Sequence, residues 1–205
     1  MSKEVRNFFT IAQPAETRTN IKGSIFIAHS SRVGEAAAAL AFIESIRAQH
    51  KDATHNCWAY CISKQEYRFN DDGEPAGTAG QPILQAITTM DLEQVCVVVT
   101  RYFGGVKLGA GGLVRAYHGA AVAVLKISAT ILVKPEITLR LELPFAQQHS
   151  LYHFLETHPE ISASPADYTN TGLQLTIKLN LEDRARLESE LNDALCGRLH
   201  ISESD

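Results

Sequence analysis

The chain has 205 residues, 45% hydrophobic and 20% charged, enough to bury a core in one large domain or two small ones. A net charge of −4 gives no global attraction for a polyanion, and no stretch approaches the ~18–20 apolar residues that span a bilayer. The imbalance is local: residues 1–133 hold 13 Lys and Arg against 11 Asp and Glu, whereas residues 134–205 hold 6 against 12.

Along the chain, a polar lead precedes a strand over Ile21–His29. Gly34–His50 has the spacing of an amphipathic helix, with Ala36, Leu40, Ile43 and Ile46 or Arg47 on one face. His55–Ile62 is apolar on both faces, as a central strand is, and Tyr67–Phe69 pairs with it after a turn. Asp71–Gly80 is turn chemistry, followed by a short helix with Pro82 in its first turn. Val95–Thr100 reads as a fully buried strand, Gly104–Gly112 as a loop and Gly112–Ile127 as a long helix. A boundary is expected at Lys134–Pro135, dividing the chain into domains 1–133 and 134–205. The second part reads strand, helix, two strands, helix, strand, the ferredoxin-like order, within an α+β chain.

Cys57, Cys61, Cys96 and Cys196 have no metal or redox spacing and are expected to be buried, reduced thiols. The N-terminus has no apolar core of secretory length, so the cytoplasm is the expected location.

The glycines locate the functional segment. Nine of the 13 fall between Gly73 and Gly119, where an even spread would place about three, interleaved with bulky side chains that a mobile linker does not need. One motif is Asp71-Asp72-Gly73-Glu74-Pro75-Ala76-Gly77-Thr78-Ala79-Gly80. Its three carboxylates could hold a cation, make turn and cap hydrogen bonds, or pair with Arg101 or Arg115 and order the facing loop; pairing is preferred. The other motif is Arg101-Tyr102-Phe103-Gly104-Gly105-Val106-Lys107-Leu108-Gly109-Ala110-Gly111-Gly112, continuing through Arg115 to Tyr117. It leaves a strand and opens a helix, whose free N–H groups favour an anion. Arg101, Lys107 and Arg115 would contact phosphate, while Tyr102, Phe103 and Tyr117 would stack on bases or buttress the loop, with Gly104, Gly105, Gly109, Gly111 and Gly112 allowing close approach.

Phosphate-loop and dinucleotide fingerprints fail, because Ala110 and Gly111 stand where Lys and Ser or Thr are needed and no third glycine follows at the required distance. His29, His50, His55 and His118 are candidate bases, and Ser24, Ser30, Ser31 and Cys57 candidate nucleophiles. No spacing ties them into a catalytic group.

The two motifs resemble those of the IMPACT family, in its bacterial branch, and the likeness extends over essentially the whole chain. It implies that residues up to about 130 adopt the β-α fold of a ribosomal-protein domain and of domain IV of elongation factor G. It also implies that the C-terminal domain is similar to another domain of that factor. Eukaryotic relatives restrain a translation-control kinase through a separate N-terminal domain that is not expected here. The expectation is therefore an RNA- or ribosome-associated protein linked to regulation of translation, not an enzyme, with no cofactor, no metal and no membrane partner. Asp71, Asp72 and Glu74 would order the loop. The rival reading is a metal-assisted enzyme on a phosphorylated small molecule. A protein partner is possible through the acidic C-terminal domain.

Overall fold

The computed structural model describes residues 6–203. It contains two compact units: Phe8–Val133 forms one, and the chain from Lys134 onward forms the other. Asn7 belongs with the second unit, where its side-chain amide donates to Glu182 at 2.6 Å.

In the first unit the elements run β1 (Phe8–Ile11), β2 (Ala15–Ile21), β3 (Ser24–Arg32), α1 (Ala36–Gln49), β4 (His55–Ser63) and β5 (Glu66–Asn70). They continue with α2 (Gly80–Thr89), β6 (Val95–Tyr102), α3 (Ala110–Ile127) and β7 (Thr130–Val133). Five strands form one antiparallel sheet in the order β2-β3-β6-β4-β5, while β1 and β7 pair into a separate antiparallel ribbon. Lys22 and Gly23 both take positive φ, 48° and 84°, which closes the β2–β3 hairpin tightly.

Both sheet faces are covered. Phe26, Ala28, Cys57, Ala59, Val97 and Val99 pack beneath α2 and α3. Tyr60, Ile62, Cys96 and Val98 pack beneath Ala39, Ile43 and Ile46 of α1. That double burial is why β4 and β6 read as unbroken apolar runs. Inside α1, Ala39 faces the core and Leu40 faces outward, one position from the expected stripe. The polar lead contains a full strand, β2, an edge strand with little apolar signal to mark it.

The second unit runs β8 (Glu136–Pro144), α4 (Gln148–Thr157), β9 (Ser162–Ala163), β10 (Asp167–Tyr168), β11 (Gly172–Asn180), α5 (Arg184–Ala194) and β12 (His200–Glu203). Its antiparallel sheet has the order β10-β11-β8-β12, with β9 also on β11. Leu139, Leu141 and Leu143 alternate with solvent-side residues, as do Leu173, Leu175, Ile177 and Leu179, and Leu151, Phe154, Leu187 and Leu191 cover them.

Cys57, Cys61 and Cys96 are buried and unpaired, but Cys196 is exposed, because it lies beyond the end of α5 with φ 55°. Among the described residues no helix is long and apolar enough to cross a membrane.

Candidate functional site

Strand pairing sets the geometry of the site. Arg101 lies opposite Phe26 on one side and His55 on the other, so its side chain shares their face, beneath α2 and α3. There it is only 5% exposed. One guanidinium nitrogen donates to Glu74 Oε1 at 2.6 Å and the other to Ser24 Oγ at 3.3 Å. The group lies 5.5 Å from the ring centres of both Phe26 and Phe103. Among the described residues its Nε has no partner.

Glu74 is buried as well. The same oxygen accepts the Tyr117 hydroxyl at 2.8 Å, and His55 Nε2 stands 3.9 Å away. Tyr117 is fully buried, its ring nearly perpendicular to that of Phe26. Burial, with the neighbouring Cys57 and Glu74, pushes its hydroxyl well above the ordinary tyrosine range. Burial likewise pushes the Cys57 thiol up, and its Sγ–H donates to the Asp71 carbonyl at 3.0 Å. The thiolate needed for a nucleophile is therefore disfavoured.

The other two carboxylates of the acidic turn have different partners. Asp71 accepts from the N–H groups of Gly77, Ala79 and Gly80 at 2.9, 3.0 and 2.8 Å. It thereby caps α2, whose own N-cap, Ala79, has no side chain for the task, an arrangement worth about 1 kcal/mol. Asp72, at φ 42°, accepts from the Asn56 N–H at 2.6 Å and from Arg47 at 3.1 Å. Its carbonyl accepts from His55 Nδ1 at 2.8 Å. The three side chains thus point to three separate partners. Among the described residues no three His, Cys, Asp or Glu side chains converge as a metal site.

The loop's aromatic and cationic residues separate. Arg101 is buried in the core and not placed to meet a phosphate, which corrects that expectation, whereas Tyr117 takes the buttressing alternative and not the stacking one. Tyr102 points to the opposite sheet face, where its hydroxyl meets His50 Nδ1 at 2.9 Å. Phe103 remains 48% exposed, and Val106, Lys107 and Arg115 are exposed beside it in sequence. Gly109, at φ 70°, opens α3 without a side-chain cap. Gly111 and Gly112 occupy the first helical turn, and an Arg115 nitrogen lies 3.6 Å from where a Cβ on Gly111 would stand. Gly105 is exposed at φ 86°, and the Gly104 N–H donates to Ser24 Oγ at 3.2 Å.

Several contributors carried no sequence signal for the role they take. Ser24 joins Arg101 to the loop, and Arg47 and Asn56 hold Asp72, each from a distant element. His29 and His50, candidate bases that no spacing ties together, form a chain on the α1 face. Their Nε2 atoms are 3.2 Å apart, and Glu16 lies 3.6 Å from His29 Nδ1. Burial lowers the His29 pKa, opposed by Glu16 and reinforced by His50. A buried base that charges less readily when folded stabilises the fold above its unfolded value of 6.5, and that stability is lost as pH falls. The thermal midpoint is therefore expected to fall on acidification through pH 6.5, and less steeply in His29→Asn. Parallel profiles for the two proteins would refute this.

Residues 22–125 match the model of the Impact N-terminal domain. The IMPACT family member YvyE of Bacillus subtilis is 50% identical over 115 residues, 55% of this chain and 53% of that protein, so the match spans about half of its length. The IMPACT family member YigZ of Escherichia coli is 42% identical over 137 residues, covering 64% of this chain and 67% of that one. A crystal structure described only as that of a hypothetical protein is 32% identical and covers 98% of each chain, with a TM-score of 0.66.

Proposed function

Because the chain belongs to the IMPACT family, we propose that it is a cytoplasmic protein linked to regulation of translation, which binds RNA or the ribosome through Phe103–Arg115. The reading is of a binding protein and not an enzyme. The carrying observation is the Phe103 ring: one side is backed by the Arg101 guanidinium at 5.5 Å, yet the residue stays half exposed. An aromatic ring held rigidly at a loop surface is a platform on which an unpaired base stacks. Lys107 and Arg115 supply exposed positive charge, the uncapped N–H groups of α3 favour an anion, and no acid occurs from residue 94 to residue 135. Glu74, Asp71 and Asp72 act one layer back, holding Arg101, α2 and the turn in place.

For the first unit this reading includes a fold of the kind found in a ribosomal-protein domain and in domain IV of elongation factor G. For the second it includes a ferredoxin-like fold, supported by the β-α-β-β-α-β order and the antiparallel sheet.

Fluorescence anisotropy with a labelled single-stranded RNA tests the platform. Phe103→Ala should weaken binding by about 1–3 kcal/mol, the range for loss of one stacked base, with a cooperative unfolding transition showing that the variant remains folded. Unchanged affinity in that variant would remove the stacking role.

A further inference from the structure

The second unit exposes a cluster of aromatic rings at one edge of its sheet. Tyr168, on edge strand β10, is 63% exposed; Phe145, just after β8, is 46% exposed, and Tyr152 of α4 is 39% exposed. The rings of Phe145 and Tyr168 lie 6.3 Å apart and within 14° of parallel. The Tyr152 and Tyr168 hydroxyls are hydrogen-bond neighbours, and the Gln148 amide donates to the Tyr168 hydroxyl at 3.4 Å. Side chains used for packing bury their rings, whereas these three touch one another and remain open to solvent. Contiguous exposed aromatic surface of this kind marks an interaction site.

The surrounding charge narrows the occupant. From residue 141 to residue 177 the chain has no lysine or arginine and four carboxylates; Glu142 and Glu160 pair with Arg140 and Arg186, and Glu156 and Asp167 carry the negative charge beside the rings. Glu156 lies one helical turn beyond Tyr152, Asp167 immediately precedes Tyr168, and both are exposed. A nucleic acid is repelled by such a surface, and a basic segment is attracted to it.

We infer that Phe145, Tyr152 and Tyr168 form a docking surface for a proline-rich peptide segment with basic flanks. A polyproline II helix carries three residues per turn and has no internal hydrogen bonds. Its pyrrolidine rings pack against exposed aromatic faces such as those of Phe145 and Tyr168, and its free carbonyls accept hydrogen bonds from hydroxyl and amide groups such as those of Tyr152, Tyr168 and Gln148. The flanking cations meet Glu156 and Asp167. Because the helix is preformed in the free peptide, little ordering entropy opposes its binding.

The test is an anisotropy titration of the full chain with a short fluorescein-labelled peptide carrying two PxxP repeats and flanking arginines. A second peptide with alanine at each proline keeps the charge and removes the helix. The proline peptide should bind at least about tenfold more tightly than the alanine peptide, and Tyr168→Ala and Phe145→Ala should each weaken it by a similar factor. Both side chains are exposed, so thermal midpoints within error of the parent establish that the variants are folded. Equal binding of the two peptides would reduce the effect to charge and overturn the proposal. So would binding indifferent to Tyr168→Ala, no binding at the highest soluble peptide concentration, or displacement of the peptide by a single-stranded RNA in a manner that depends on Tyr168.

Discussion

Replacing Arg101 with methionine is expected to lower the unfolding free energy of the first unit by about 3–5 kcal/mol. Methionine roughly fills the space of the stem but leaves the Glu74 carboxylate buried, with the Tyr117 hydroxyl as its remaining short contact and His55 at 3.9 Å. The cost lies in that abandoned charge more than in the lost attraction, since removing both partners of a buried pair is often far milder than removing one. The double variant Arg101→Met/Glu74→Gln should therefore lose clearly less than the sum of the single losses. Urea denaturation followed through Trp58, the single tryptophan and a residue of β4, reads out this unit directly. Additive losses, or a loss below about 1 kcal/mol for Arg101→Met, would place the pair among weak surface ion pairs. By contrast, alanine at the exposed Lys107 should leave stability within about 0.5 kcal/mol.

The second large effect belongs to Gly104. A Cβ built there would stand 1.9 Å from the carbonyl carbon of Gly23, 2.1 Å from its oxygen and 2.3 Å from the nitrogen of Ser24. These are backbone atoms of the β2–β3 turn and no rotamer change relieves them. Alanine must push the turn away, breaking the Gly104 N–H bond to Ser24 Oγ and disturbing the hydroxyl that also receives Arg101. Overpacking and the lost hydrogen bond together predict a destabilisation of roughly 3 kcal/mol. Gly105→Ala is the informative control. Its Cβ meets nothing within 4 Å, so only the positive φ of 86° is penalised, at about 1–2 kcal/mol. The prediction fails if the two alanine variants unfold at the same urea concentration.

The contrast between neighbouring glycines shows where sequence reading ends. Clustering of glycine marks the segment, but it does not separate Gly104, which admits a second backbone, from Gly105, which sets a local turn. Pairing between an acidic-turn carboxylate and Arg101 was legible from the charges; that Glu74 takes it, while Asp71 caps α2, depends on how the turn folds back. Tyr117 fits the inward spacing of α3 with Leu113, Ala120 and Val124, so its burial was available from periodicity. Arg101 was harder, because β6 is apolar on both faces and alternation along it says nothing of which side the arginine takes. Tyr102 and Phe103 part for a related reason. Tyr102 still obeys the strand's alternation and turns toward α1, whereas Phe103 has left the strand. Strands β1, β2 and β7 escaped detection because they are short or polar and are specified by pairing, as Phe8 with Val133, at a distance no local pattern reaches.

The RNA-binding role of the loop is tested most directly by salt dependence. Each exposed cation that meets a phosphate of a single strand adds about 0.7 to the slope of log affinity against log salt concentration. Titrating a labelled single-stranded RNA against the parent and Lys107→Ala/Arg115→Ala over a range of salt gives both slopes. The account predicts weaker binding by the variant and a slope shallower by about 1.4, with an unchanged thermal midpoint. Equal slopes, or affinity that ignores salt in the parent, would contradict it.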